Sequence, residues 1–215
     1  MITIENLSVY YENVQALNGL TLHWPPGKLI GLHGANGAGK STVLKVCAGI
    51  VRRYEGRVLF KEKPVEQNLF EIKRATYYVP ENAGILPYLS GREFLQMIRA
   101  LYGRPADDAL LEHLLEISGL KEKADDPGYT YSHGMRQKLF ITAALISGAE
   151  ALFFDEAFNG VDQEGTAALL NHIRNDFLTA SRLVVISSHQ HDFLHKWRDI
   201  SFEINNGMLE AETEL

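Results

Sequence analysis

The apolar positions along this chain change period several times, and each change marks a new element. Leu29-Ile30-Gly31-Leu32, Ala151-Leu152-Phe153-Phe154 and Leu183-Val184-Val185-Ile186 are unbroken apolar blocks of strand length, the pattern of strands covered on both faces. Residues 2–9, 21–24, 57–60 and 75–79 also read as β, the last stopped by Pro80, and Pro25-Pro26-Gly27 is a turn. Helical spacing takes over at 41–48 and near 65–72. Ser90-Gly91-Arg92-Glu93 is a capping box that opens a helix with Phe94, Met97, Ile98 and Leu101 on one face, closed by Gly103-Arg104-Pro105. A second helix carries Leu110, Leu111, Leu114, Leu115 and Ile117 and stops at Gly119. Ser132 caps a third with Met135, Leu139, Ala143 and Ile146, and Asp162 starts a fourth with Leu169, Leu170, Ile173 and Phe177 facing in. Phe202 to Ile204 and Met208-Leu209 frame an Asn205-Asn206-Gly207 turn, a terminal hairpin. Strands thus flank a block of helices, as expected for an α/β core with a helical insertion.

Length and charge narrow the picture. A chain of 215 residues suits one α/β domain with a smaller inserted subdomain. The net charge is −6 and no basic run exceeds Arg52-Arg53, which argues against nucleic acid as a partner. Residues 210–215 are acidic and read as a solvated end. The single Cys47 lies on the apolar face of a helix, so a packed thiol is expected and no disulfide within the chain is possible. The first six residues show neither a basic nor an apolar leader pattern, and no run approaches the ~18 apolar residues of a spanning helix. The expectation is a cytosolic chain whose membrane work belongs to a partner.

The chemistry centres on Gly34-Ala35-Asn36-Gly37-Ala38-Gly39-Lys40-Ser41-Thr42, which fits G-x-x-x-x-G-K-[ST] and stands between a buried strand and a helix. Glycines let the chain wrap there, so that successive N–H groups and the positive end of the helix dipole face a di- or triphosphate. Lys40 reaches the β- and γ-phosphates in this motif, and the Ser41 hydroxyl completes a Mg²⁺ shell. Ligands of open α/β sheets bind beyond the carboxyl ends of the strands, where this chain places Lys40, Asp155-Glu156 and His189. Asp155 after four apolar residues suits a metal-holding role, and Glu156 is placed to polarise an attacking water. His189 at a strand terminus can hydrogen-bond a γ-phosphate.

Taken in order, these segments resemble the ATP-binding subunit of an ABC transporter, over nearly the whole chain. The resemblance identifies Gly34, Asn36, Gly37, Ala38, Gly39, Lys40, Ser41 and Thr42 with Walker A, and Tyr131-Ser132-His133-Gly134-Met135 with the signature motif. It matches Asp155-Glu156 to Walker B and its catalytic glutamate, Asn159-Gly160-Val161-Asp162 to the D-loop and His189 to the H-loop. Tyr11 matches the aromatic that stacks on adenine, with neighbouring Tyr10 either the stacker or a core residue. The implied fold is a P-loop NTPase core with a mixed sheet, an N-terminal antiparallel β subdomain and an inserted helical subdomain. The core would comprise 1–80 and 150–215, the helical part about 82–148. The family pairs two ATPase subunits head to tail around two Mg²⁺·ATP, each signature covering the nucleotide on the other's phosphate loop. Ser132 at an N-cap and the Gly134 N–H supply the second helix N-terminus that such a sandwich needs. Separate membrane subunits would do the transport, leaving this subunit peripheral at the inner face.

Four departures stand out. His133 replaces a signature glycine and Tyr131 a leucine; position 133 falls in a first helical turn, where negative φ admits a side chain. Ala157 and Ala149 stand where the family has proline. Glu81 stands at the Q-loop position, where glutamine normally approaches Mg²⁺, and is a candidate third metal-side residue beside Ser41 and Asp155. The signature stretch and the helix from Arg92 to Gly103 look most like ATPases of ABC-2-type exporters. No Asn-Lys-x-Asp base reader of a GTPase occurs. Glu81 and His133 also leave open an ATP-gated module that signals and barely hydrolyses.

Overall fold

The computed structural model describes residues 1–82, 84, 87–189 and 194–214. It divides into two compact units, the first formed by residues 1–78, 150–156 and 178–215, the second by 79–149 and 157–177.

In the first unit the order of strands follows from burial. β3 (Lys28–His33), β7 (Ala151–Asp155) and β8 (Leu183–Ser188) have buried side chains at nearly every position, so they occupy the middle of a six-stranded sheet. Its order is β10-β9-β3-β8-β7-β6, with β6 at Thr76–Val79 and β9 at Ile200–Asn205. β3 pairs in parallel with both β8 and β9, and β8 with β7. The register aligns His33 with Ser188 and Asp155 with Ser187, so the strand ends that carry the candidate site residues are level. β10 (Met208–Glu214) runs antiparallel to β9 at the edge. The acidic tail therefore extends this strand and is not a free end: Glu210, Glu212 and Glu214 are exposed on an edge, where charge discourages pairing with another chain.

A second sheet, β2-β1-β4-β5, packs into the same core. β1 (Ile2–Tyr11) and β2 (Val14–Trp24) are antiparallel and longer than the short strands expected. Register shifts on either side of Leu7, with Asn6 at φ 49°, break the two-residue alternation by which strands are recognised. β4 (Glu55–Phe60) pairs with β1, and β5 is the two-residue Lys63–Pro64. Trp24 is fully buried between Phe153 and Phe202, at ring-centroid distances of 6.4 and 6.5 Å, which joins the two sheets. Removing each such side chain from water stabilises the fold by about 2–3 kcal/mol. α1 (Lys40–Cys47) lies in this core with Val43, Leu44, Val46 and Cys47 buried, and burial pushes the Cys47 thiol pKa far up, as suits a packed, unreactive group. The 65–72 helix resolves into a 3₁₀ turn, Val65–Gln67, followed by α2 (Leu69–Ala75).

The second unit is helical. α3 (Gly91–Leu101) starts with the full capping box: Glu93 N–H donates to Ser90 Oγ at 3.2 Å and Ser90 N–H to Glu93 Oε2 at 2.8 Å. Its inward face is Phe94, Leu95 and Ile98; Leu101, expected on that face, is 69% exposed in the last turn. α4 (Asp108–Ile117) buries Leu111, Leu114 and Leu115, with Asp107 as N-cap. α5 (His133–Ser147) is capped by Ser132, whose Oγ accepts from Met135 N–H at 3.2 Å, and ends on Gly148 at φ 60°. α6 (Gln163–His172) begins at Asp162 and runs into a π turn, Ile173–Phe177, that the 3.6-residue period does not announce.

Candidate functional site

The loop from Gly34 to Gly39 makes its turn with backbone that other residues resist. Gly34, Gly37 and Gly39 have φ of 146°, 81° and 110°. A Cβ on Gly34 would lie 2.2 Å from Ile204 O, and one on Gly39 2.7 Å from Ala16 O. Gly39 is a left-handed N-cap and has no side chain, so the first N–H groups of α1 receive no cap from the N-cap residue. That is the arrangement that accepts phosphate oxygens. The terminal hairpin braces the loop from outside: Gly207 N–H donates to Ala38 O at 2.9 Å, and Asn18 N–H donates to Gly207 O at 2.9 Å.

The strand ends bring five of the expected residues together in this unit. Lys40, 5% exposed, donates from Nζ to the carbonyls of Gly34 (2.8 Å) and Ala35 (3.1 Å), and lies 3.4 Å from Glu156 Oε1. Ser41 Oγ donates to Asp155 Oδ1 at 2.9 Å. Glu156 sits one residue beyond β7 in left-handed backbone, φ 50°, a conformation that costs a non-glycine residue about 1 kcal/mol and turns its side chain away from the line of the strand. Ser187 Oγ accepts the Glu156 N–H at 3.0 Å and donates to Asp155 Oδ1 at 2.9 Å, so one hydroxyl ties both carboxylate residues to β8. His189 Nδ1 lies 3.0 Å from Glu156 Oε2; a carboxylate only accepts, so Nδ1 carries the proton of that bond.

Two groups here were not legible from the motifs: Ser187, and Tyr78, whose hydroxyl donates to Asp155 Oδ2 at 2.7 Å. Both owe their place to neighbouring strands, which sequence order does not disclose. The oxygen set suits magnesium. Ser41 Oγ and Asp155 Oδ1 are hard donors 2.9 Å apart beside the phosphate loop, and no cluster of three or more His, Cys, Asp or Glu able to hold a metal occurs among the described residues. Such a site leaves most of the shell to phosphate oxygens and water, as Mg²⁺ prefers.

Tyr10 and Tyr11 are 52% and 44% exposed at the end of β1, so Tyr10 is no core residue; its hydroxyl accepts from Gln15 Nε2 at 3.0 Å. The second unit holds the other expected residues. Ser132 and Gly134 open α5, and a Cβ on Gly134 would lie 2.5 Å from Gly160 O. His133, with no positive φ, lays its ring against Gly160. Lys138 pairs with Asp162 and, with the Gly165 N–H, holds that carboxyl below the usual range. Glu81 is exposed, and its backbone carbonyl accepts from Gln137 Nε2. Residues 81–89, whose Ile85, Leu86, Pro87 and Tyr88 suggest from sequence an apolar loop for a membrane partner or for burial under the helical insertion, are described in part: Ile85 and Leu86 lie outside the described residues. Tyr88 is 86% exposed, beside Tyr129 at 67%, whose N–H donates to Pro87 O at 3.1 Å.

This combination of fold and phosphate loop defines an ATP-binding cassette. The chain belongs to the ABC transporter family, whose model matches residues 17–159. It is 29% identical to the bacitracin transport ATP-binding protein BcrA of Enterococcus faecalis, over 100% of this chain and 70% of that one. To a Nod factor export ATP-binding protein I of Burkholderia thailandensis it is 29% identical, over 87% of this chain and 62% of the other. Among solved structures, one described as the ATP binding subunit of an ABC transporter superposes with a TM-score of 0.89 at 25% identity, over 100% and 90% of the two chains. A dimeric ATP-binding cassette bound to ADP and Pi shares the fold at 19% identity, with a TM-score of 0.88 over 100% and 99%. The chain is thus an ATP-binding cassette of the ABC type, with the mixed sheet and antiparallel N-terminal sheet read from the sequence. Among the described residues no helix is long and apolar enough to cross a membrane.

Proposed function

We propose that this chain hydrolyses ATP as one of two ATPase subunits that close head to tail around two Mg²⁺·ATP and drive separate membrane subunits, in the direction of export. The observation that carries the reading is the convergence of Lys40, Ser41, Asp155, Glu156 and His189 at the ends of α1, β7 and β8. Gly34, Asn36, Gly37, Ala38, Gly39 and Thr42 wrap the triphosphate and Lys40 neutralises it, with Tyr11 as the adenine stacker. Ser41 and Asp155 would hold Mg²⁺, which would supply charge neutralisation of the triphosphate. Glu156 takes a proton from the attacking water; His189, already bonded to its Oε2, orients it and reaches the γ-phosphate from its other ring nitrogen. Ser132, Gly134 and Asp162 serve the nucleotide of the second subunit. The name of the Nod factor export relative supports transport outward, and that of the bacitracin relative supports transport. The exposed Tyr88 and Tyr129 offer the membrane subunits an aromatic surface, which would keep the protein at the cytoplasmic face.

The test is Glu156→Gln. The amide keeps the shape but is no base, so ATP should stay bound, turnover should fall by about a thousandfold, and a dimer should accumulate in Mg²⁺ and ATP. Size-exclusion chromatography and phosphate release, with the wild type alone and with its co-purifying membrane protein, read all three. Normal turnover in the variant removes Glu156 as the base. Wild-type turnover near zero in every condition favours the alternative suggested by Glu81 and His133, a module gated by ATP that hardly hydrolyses it.

A further inference from the structure

Three hydroxyl groups converge on one buried carboxylate. Asp155 is 3% exposed; its Oδ1 accepts from Ser41 and Ser187, each at 2.9 Å, and its Oδ2 accepts from Tyr78 at 2.7 Å. We propose that Tyr78 is a positioning residue for the metal: its hydroxyl fixes the plane of the Asp155 carboxylate so that Ser41 keeps its proton on Oδ1 and its lone pairs toward Mg²⁺. This inference rests on the Mg²⁺·ATP reading above.

A hydroxyl has one proton and two lone pairs, and it can ligate a cation only while its proton has an acceptor elsewhere. For Ser41 that acceptor is Asp155 Oδ1. Rotation of an aspartate about its last torsion is soft, so the direction of Oδ1 is set by partners and not by the side chain's own preference. Both serines meet Oδ1 and Tyr78 holds Oδ2, so the one soft torsion is restrained at both oxygens: a turn that carries Oδ2 off Tyr78 also carries Oδ1 off the serines. The Tyr78 donor is rigid, a ring with two side-chain torsions, half-buried on the strand that borders β7. Without the hydroxyl, Oδ2 loses its donor in a buried place, and the carboxylate gains by turning toward some other donor. Ser41 then loses its aligned acceptor.

Tyr78→Phe removes the hydroxyl and keeps the ring. Binding of a fluorescent ATP analogue is followed while MgCl₂ is titrated, and again in EDTA, with thermal unfolding of both proteins alongside. The variant should need about tenfold more Mg²⁺ for half-maximal binding, as outer-shell partners of metal sites generally do, with unchanged affinity in EDTA and an unchanged unfolding midpoint. Superimposable Mg²⁺ curves overturn the role of Tyr78 and leave the Mg²⁺·ATP reading standing. Equal losses with and without Mg²⁺, or a lowered midpoint that accounts for them, also overturn it, because the hydroxyl's contact would then be merely structural. A wild type whose nucleotide binding ignores Mg²⁺ overturns both.

Discussion

Asp155 and Glu156 are neighbours with opposite backbone hand, and that difference separates their work. Asp155 ends β7 in extended conformation and points its carboxylate at Ser41, Ser187 and Tyr78; Glu156, at φ 50°, turns toward Lys40 and His189. One acid thereby meets hydroxyl donors, the other an ammonium and an imidazole. Glu81 is a third acid with a different logic. No ion pair holds it among the described residues; only its backbone is tied, to Gln137. A carboxylate is a better Mg²⁺ ligand than the family's carboxamide, yet it brings negative charge toward a triphosphate bearing about four. In the proposed Q-loop role the two effects oppose each other: with Mg²⁺ ligation outweighs repulsion and closes the site, and without it repulsion wins. Glu81→Gln should therefore flatten the Mg²⁺ dependence of ATP binding and improve binding in EDTA by several-fold. Coincident titrations of the two proteins would show that this carboxylate does not reach the metal.

At the scale of elements, legibility followed period. Unbroken apolar blocks identified β3, β7 and β8 to within a residue or two, and the capping box identified the start of α3 from four side chains. β1 and β2 were read short, because bulges around Asn6 and Gly19 put the wrong residues on the wrong face for a period of two. The hairpin turn was legible too, its Asn206 and Gly207 both at positive φ, but not its task. That task depends on which loop lies beneath it. Gly207 donates to Ala38 in the phosphate loop, and a Cβ at this position would lie 2.8 Å from both Ala16 O and Leu17 Cα. Gly207→Ala should cost about 1–3 kcal/mol of stability and loosen the loop as well. ATP affinity should drop more in this variant than in one with an equal loss of stability placed in β10 away from the turn. Paired thermal melts and nucleotide titrations make the comparison; an equal drop in both variants would mean the hairpin braces nothing.

For the whole molecule, the five residues that meet at the candidate site were legible because each ends or follows a buried strand or opens a helix. Tyr78 and Ser187 were not, since lateral neighbours in a sheet are set by topology and not by sequence distance. The same limit applies between copies of the chain. The phosphate loop belongs to the first unit and the Ser132 cap to the second, each once per chain, so a head-to-tail pair would build each site from two copies. That arrangement can be tested without a structure of the dimer. Lys40→Ala removes the cation from the phosphate loop but keeps Ser132 and Gly134. Ser132→Arg fills the signature helix terminus but keeps the loop, losing the cap at about 1 kcal/mol. Each variant alone should be inactive. Mixed in equal amounts, half of the pairs contain one of each, and each such pair holds one intact site of two, so about a quarter of wild-type turnover should return if dimers form at random and sites act singly. Turnover that rises with the square of total concentration at the low end would mark it as a property of the pair. A mixture as silent as its components would mean that the two variants do not build a working site between them, and the head-to-tail sandwich would have to be abandoned for this chain.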